Sequence, residues 1–114
     1  MARRLAISNK VRFPVTLSID DDHGSKTIYR CDLFADRLSV TELRGLEIGR
    51  DDKAVEDFLC RVCTGWAGQT LVLEDDGTPA AFSADALRDM LGVPGAIGIV
   101  SARYLAAITA KEKN

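Results

Sequence analysis

The chain predicts an α+β fold, with an N-terminal β-hairpin or small antiparallel sheet packed on a C-terminal bundle of four short helices. Three observations carry this. Apolar residues alternate strictly with polar ones from Val11 to Ile19, the period-two pattern of a strand with one buried face. Helix signals take over from Ser39 onward, where the apolar spacing changes to three and four. A length of 114 residues allows one hydrophobic core and no second one, so strands and helices share a single domain over 1–114. Strands fall within about 10–34 and helices within about 39–64 and 83–110, leaving 111–114 as a flexible tail.

In the first strand Val11, Phe13, Val15, Leu17 and Ile19 take one face, and Arg12, Pro14, Thr16 and Ser18 the other. Pro14 has no backbone N–H to give a ladder, which puts the strand at a sheet edge or marks a bulge. Asp20-Asp21-Asp22-His23-Gly24-Ser25 is a polar turn, after which Tyr29, Cys31 and Leu33 alternate with Arg30 and Asp32 to complete a hairpin. A hairpin is marginal alone, so its apolar face must lie on helices, a further strand or another subunit. Ser39-x-x-Glu42 is a capping box that opens a short helix with Val40, Leu43 and Leu46 inward. Gly49, which tolerates the left-handed position after a helix, ends it. Asp51 or Asp52 caps the next helix, whose Val55, Phe58, Leu59, Val62 and Cys63 follow helical spacing up to a stop at Gly65, where Trp66 folds back on the apolar face. Leu71-Val72-Leu73 leaves room for a third strand before the Asp75-Asp76-Gly77 turn. Ser83 caps a helix with Asp85 in its first turn and Leu87, Met90 and Leu91 as its buried stripe. Gly92 ends that helix, and Pro94 starts the last one, with Ile97, Val100, Tyr104, Leu105 and Ile108 on one face.

Composition narrows the function classes. With 46% hydrophobic and 28% charged residues, the chain has the balance of a folded domain rather than of a disordered or membrane segment. A net charge of −2 gives no basic face for nucleic acid. Arg3, Arg4, Lys10 and Arg12 cluster near the N-terminus and read as a solvated end, with no nucleic-acid or membrane partner implied. Met1-Ala2-Arg3-Arg4 runs into polar Ser8, Asn9 and Lys10, so neither a signal peptide nor a bilayer-spanning segment is expected, and the expected location is the cytoplasm. Three cysteines, an odd number without secretory context, fit reduced thiols.

Chemistry-bearing patterns are few, and each has a plain structural reading. Cys60-Arg61-Val62-Cys63 has the spacing of a redox pair, but such a pair opens a helix whose dipole lowers the thiol pKa, whereas this one closes a helix. Cys63 then belongs to the apolar stripe with Leu59, and Cys60 is its small neighbour. Zinc needs four ligands, and beyond this pair there are only distant Cys31 and the single His23, so no metal is expected. The acidic run at Asp20 to Gly24 lacks the sixth-position glycine and closing Glu of a calcium loop and is a turn. His23 on a polar turn builds no nucleophilic triad, and Gly92-x-x-Gly95-x-x-Gly98 lacks the Lys-Ser or Lys-Thr of a phosphate loop. No catalytic residue and no cofactor is expected, and the chain reads as a non-enzyme.

Residues 65–105 do carry a connected pattern: Gly65-Trp66, Asp75-Asp76-Gly77, Pro79, Phe82-Ser83, Leu87, Leu91, Pro94-Gly95 and Tyr104-Leu105. In this order the stretch resembles the C-terminal half of the small tail assembly chaperones of long-tailed bacteriophages. The rest of the chain matches more loosely, and Cys60-x-x-Cys63 is not part of the family pattern. The resemblance implies a small cytoplasmic protein of the infected bacterium, absent from the finished virion and without an active site. It implies the tape-measure protein as client, coated and kept soluble, and the tail tube protein as a recruited second partner.

Two other classes stay open: a generic protein-interaction adaptor of the same architecture, and a thiol redox or metal protein using Cys60 and Cys63. For the interaction readings the partner-binding residues are Trp66, Phe82, Leu91 and Tyr104, the aromatics being either groove anchors or core. Capped amphipathic helices around the Gly92-Val93-Pro94-Gly95 corner would form the groove for a client helix. The exposed edge of the first strand leads to the expectation of a homo-oligomer.

Overall fold

The computed structural model describes residues 2–44 and 51–112. The fold is α+β: a three-stranded antiparallel sheet with strand order β1-β2-β3 and, among the described residues, four helices. Strand β1 spans Lys10–Asp20 and β2 spans Lys26–Asp36, in an unbroken register from Lys10↔Asp36 to Asp20↔Lys26. At one end the Arg37 N–H donates to the Asn9 carbonyl at 2.7 Å, and at the other the Asp21 N–H donates to the Ser25 carbonyl at 2.7 Å. Both are closely bonded pairs, so odd-numbered residues of β1 bond to β2 while even-numbered ones turn their N–H and C=O to the open edge. Pro14 is even-numbered, and its missing N–H falls on that free edge. Of the two readings open for Pro14, the edge holds and the bulge does not. In the turn, the Asp21 carboxylate accepts from the His23 and Ser25 N–H groups at 2.8 and 2.9 Å, and Gly24 supplies a φ of +81°.

The third strand lies elsewhere than expected. Helix α2, Asp52–Val62, passes directly into β3, Cys63–Ala67, which pairs antiparallel with β2 through Leu33↔Trp66 and Phe34↔Gly65. Gly65 therefore does not stop a helix, and Trp66 is a strand residue. The glycine packs closely: a Cβ there would lie 3.3 Å from Cδ2 of Phe34, a tight contact that the ring would have to yield to, and the same ring carries the Arg12 guanidinium 5.0 Å from its centroid. Thr64 is the extra residue of a bulge at Phe34/Ala35, and its hydroxyl donates to the Phe34 carbonyl at 3.3 Å. Leu71-Val72-Leu73 forms no strand; Leu73 makes only a bridge to Pro79 across the acidic turn.

Helix α1, Val40–Arg44, opens with the expected capping box: Glu42 N–H donates to Ser39 Oγ at 3.2 Å and Ser39 N–H to Glu42 Oε1 at 3.0 Å. Leu43 packs against the core, but Val40 is 62% exposed and does not point inward. Leu46, the stop at Gly49 and residues 113–114 of the expected tail lie outside the described residues. Asp51, not Asp52, caps α2, its carboxylate accepting from the Lys53 and Ala54 N–H groups at 2.7 and 3.1 Å. Ser83 caps α3, Ala84–Leu91, through the Ala86 N–H at 3.0 Å. Pro94 does not begin the last helix. Pro94-Gly95 instead occupies the centre of a turn closed by Ala96 N–H to Val93 C=O at 3.0 Å, with Gly95 at φ +90°, the order and bond of a type II turn. Helix α4, Ala96–Ile108, follows, and the two helix axes bend by 114°.

All these elements bury one face in common. Phe13, Val15, Leu17 and Leu33 from the sheet meet Val55, Phe58, Leu59 and Val62 of α2, Leu87, Met90 and Leu91 of α3, and Val100 and Tyr104 of α4. Burying each large apolar side chain contributes about 1.5–3 kcal/mol relative to exposure. Helix α4 lies along β1, and α2 packs on both α3 and α4, which answers the need of the hairpin face for a cover. The opposite face of the sheet stays open to solvent, lined by Arg12, Pro14, Thr16 and Arg30.

Candidate functional site

Of the four residues expected to bind a partner, the fold brings two together and closes two away. Trp66 and Phe82 are half-buried and stack edge to face, with ring centroids 5.3 Å apart at 89°. Strand β3 positions Trp66, and its Nε1–H donates to the Ala80 carbonyl at 3.2 Å. The loop carrying Phe82 is organised by Gln69, only 4% exposed: its Oε1 accepts from the Leu71 and Val72 N–H groups at 3.1 and 2.8 Å, and its Nε2 donates to the Val72 and Ala80 carbonyls at 2.9 and 3.1 Å. Leu91 is 2% exposed and Tyr104 fully buried, so both pack in the core, Leu91 at the inner side of the α3–α4 corner. The Tyr104 ring sits edge to face against Phe13 and Phe58, and its hydroxyl donates to the Asp36 carbonyl at 2.7 Å. Burial, with the Cys63 thiol beside it, pushes its pKa up to about 12.

The cysteine pair closes α2 as the sequence implied. Cys60 is half-buried with its Sγ 3.9 Å from the Ala84 carbonyl, and Cys63 is buried at the head of β3. Burial pushes the Cys63 thiol up to about 12, with Cys60 and Asp36 adding to the shift. Burial also raises Cys60, against the opposing pull of the Arg88 guanidinium. Both shifts run opposite to the lowered pKa of a thiol activated for exchange. His23 stands exposed on the hairpin turn, 3.6 Å from an Asp22 carboxylate oxygen.

The two ends of α4 each border a depression. At the α3–α4 corner, where a client groove was expected, about 410 Å³ opens between Val93, Pro94 and Ile97 on one side and Asp52, Lys53 and Glu56 on the other. The other end holds a larger and more apolar one of about 590 Å³, walled by Leu5 and Ile7 of the N-terminal arm, Leu38, Val40 and Leu43 around α1, and Ile108 of α4. Leu5, Ile7 and Val40 are 77, 56 and 62% exposed, three of the six exposed large hydrophobic side chains among the described residues, and all three line this one depression. Arg37 ties its walls together, donating from Nε to the Ser8 carbonyl at 3.1 Å and from Nη1 to the Ile108 carbonyl at 3.5 Å. Sequence reasoning missed this site because it took Val40 inward and read the arm by its charges. The signal was present in Leu5 and Ile7, apolar residues in a polar segment.

No single helix among the described residues is long and apolar enough to cross a membrane. Compared with known proteins, the chain matches no family model, no curated protein and no solved structure.

Proposed function

We propose that this chain binds a long helical client and does no chemistry, in the manner of the small tail assembly chaperones of long-tailed bacteriophages. The observation that carries the reading is the apolar depression at the C-terminal end of α4, a preformed concave surface of the kind that receives the apolar face of a helix. The resemblance of residues 65–105 supplies the client, the tape-measure protein, with the tail tube protein as second partner in the host bacterial cytoplasm. Within this reading the N-terminal hairpin backs the helices and holds the arm beside them. Self-pairing along the open edge of β1 belongs to the same proposal, since every outward position there except Pro14 keeps its N–H. The burial of Cys63 and the raised thiols of Cys60 and Cys63 weigh against the thiol redox reading. A generic adaptor would share this geometry and differ in its partner.

Co-expression with the tape-measure protein of the same genome tests the proposal. The client should stay soluble and co-purify with this chain. A client that aggregates equally with and without it, and fails to co-purify, removes the chaperone reading and leaves the generic adaptor.

A further inference from the structure

The geometry points to the depression between the N-terminal arm, α1 and the end of α4 as a docking groove for an amphipathic helix with acidic flanks. This rests on the reading above for the helical form of the partner, and on charge for its chemistry. The groove lining is mostly apolar, through Leu5, Ile7, Leu38, Val40, Leu43 and Ile108 with Glu42 among them, and its volume of about 590 Å³ admits a few apolar side chains of a helix face. Cations stand in its lining and next to it along the chain. Arg3 and Arg4 precede Leu5, Arg37 lies in the wall, Arg44 follows Leu43, and Lys111 follows the last lining residue, Ala110.

Among the described residues none of these five cations has a carboxylate within 4.0 Å. Among the described residues the carboxylates of this region are Glu42, which lines the depression and accepts from the Ser39 N–H, Asp36, which pairs with Lys10, and Glu112, which follows Lys111. The contrast with the rest of the chain is strong. The hairpin turn carries Asp20, Asp21 and Asp22, the start of α2 carries Asp51, Asp52, Glu56 and Asp57, and the loop before α3 carries Glu74, Asp75 and Asp76. In a protein of net charge −2, five cations with no carboxylate within 4.0 Å among the described residues thus lie in, or next along the chain to, the lining of this apolar depression. A helix with Glu or Asp beside its apolar stripe satisfies both features, and one with Lys or Arg there meets like charge. Arg37 pins arm and helix end to each other, so little ordering is needed on binding.

The test titrates the full chain with two synthetic helical peptides that share one Leu/Ala apolar face and differ in having Glu or Lys at the flanking positions. The Glu peptide should bind at least about tenfold tighter, and its affinity should fall severalfold between 50 and 200 mM salt, as expected for charges that face water. Leu5→Ser with Val40→Ser should weaken it at least about tenfold. Both side chains are exposed, so circular dichroism should show the fold unchanged. Arg4→Glu with Arg44→Glu should reverse the preference between the peptides. Equal binding of both peptides, no binding of either, or binding indifferent to the serine pair would overturn the proposal. So would loss of self-association in the serine pair, which would make a second copy the occupant. The two readings separate in co-expression: if the serine-pair variant still holds the tape-measure protein soluble, the groove assignment falls and the chaperone reading stands.

Discussion

Replacing Tyr104 by Phe isolates one buried hydrogen bond, and its cost follows from the surroundings of the side chain. The hydroxyl donates to the Asp36 carbonyl at 2.7 Å, and no part of the residue reaches solvent. Removing it leaves that carbonyl without its partner and lowers stability by about 1–2 kcal/mol. Replacing Tyr104 by Leu also removes two edge-to-face contacts, with Phe13 and Phe58, each contributing about 0.5–1.5 kcal/mol, for a total of about 2–5 kcal/mol. For a chain of this size each kcal/mol moves the midpoint by roughly 4 °C, so Tyr104→Phe should lower Tm by roughly 4–8 °C. Urea denaturation followed by Trp66 fluorescence, with thermal melts by circular dichroism, reads both numbers. Client binding by Tyr104→Phe should equal that of the wild type at temperatures where both are folded. A variant as stable as the wild type that has lost client binding would refute the reasoning, because it would place the hydroxyl on a binding surface and not in the core.

The buried Cys63 and Tyr104 predict alkaline sensitivity. In the unfolded chain they ionise from their ordinary values of 9.0 and 10.0, whereas folding holds both up to about 12, so stability is full below pH 9 and falls as pH rises toward 12. Cys63→Val should flatten the first part of that fall in pH-dependent urea titrations, and a wild-type stability unchanged from pH 8 to 11 would contradict it. Gln69→Leu strips the loop at 69–80 of four hydrogen bonds and should cost about 2–4 kcal/mol while red-shifting Trp66 emission; an unshifted spectrum at full stability would argue against Gln69 as the organiser. Pro14→Val restores the missing N–H at the open edge of β1, and light scattering should show stronger self-association than the wild type. Weaker association would exclude that edge as the pairing surface.

The elements read best from the sequence were those whose signals are local. Strict alternation over Val11–Ile19 and the caps at Ser39 and Ser83 depend on neighbours within a few residues and appear where they were expected, and the cap of α2 falls on Asp51, one of its two candidates. Strand β3 was hidden because its determinants lie far away. Nothing near Cys63-Thr64-Gly65 announces a strand, and the ring that Gly65 packs against, Phe34, lies across the sheet and far away in sequence. Pro94 misled because proline suits both a helix start and the second position of a turn, and the positive φ of Gly95 decides between them. The candidate site was half legible. Trp66 and Phe82 do meet, but Tyr104 and Leu91 carry the same apolar signal whether they line a groove or fill a core. The groove at Leu5, Ile7 and Val40 joins three segments distant in sequence, so no single window of the chain contains it.

The central claim, that this chain takes a helical client on the apolar surface at the end of α4, is tested most directly by amide hydrogen exchange on the chain alone and in complex with the tape-measure protein. Protection on binding should concentrate in residues 5–9, 38–43 and 105–110, with the sheet interior around Leu33 already protected in both states. Exchange that is unchanged in those three segments, with new protection confined to the loop around Trp66 and Phe82 or to the α3–α4 corner, would contradict it.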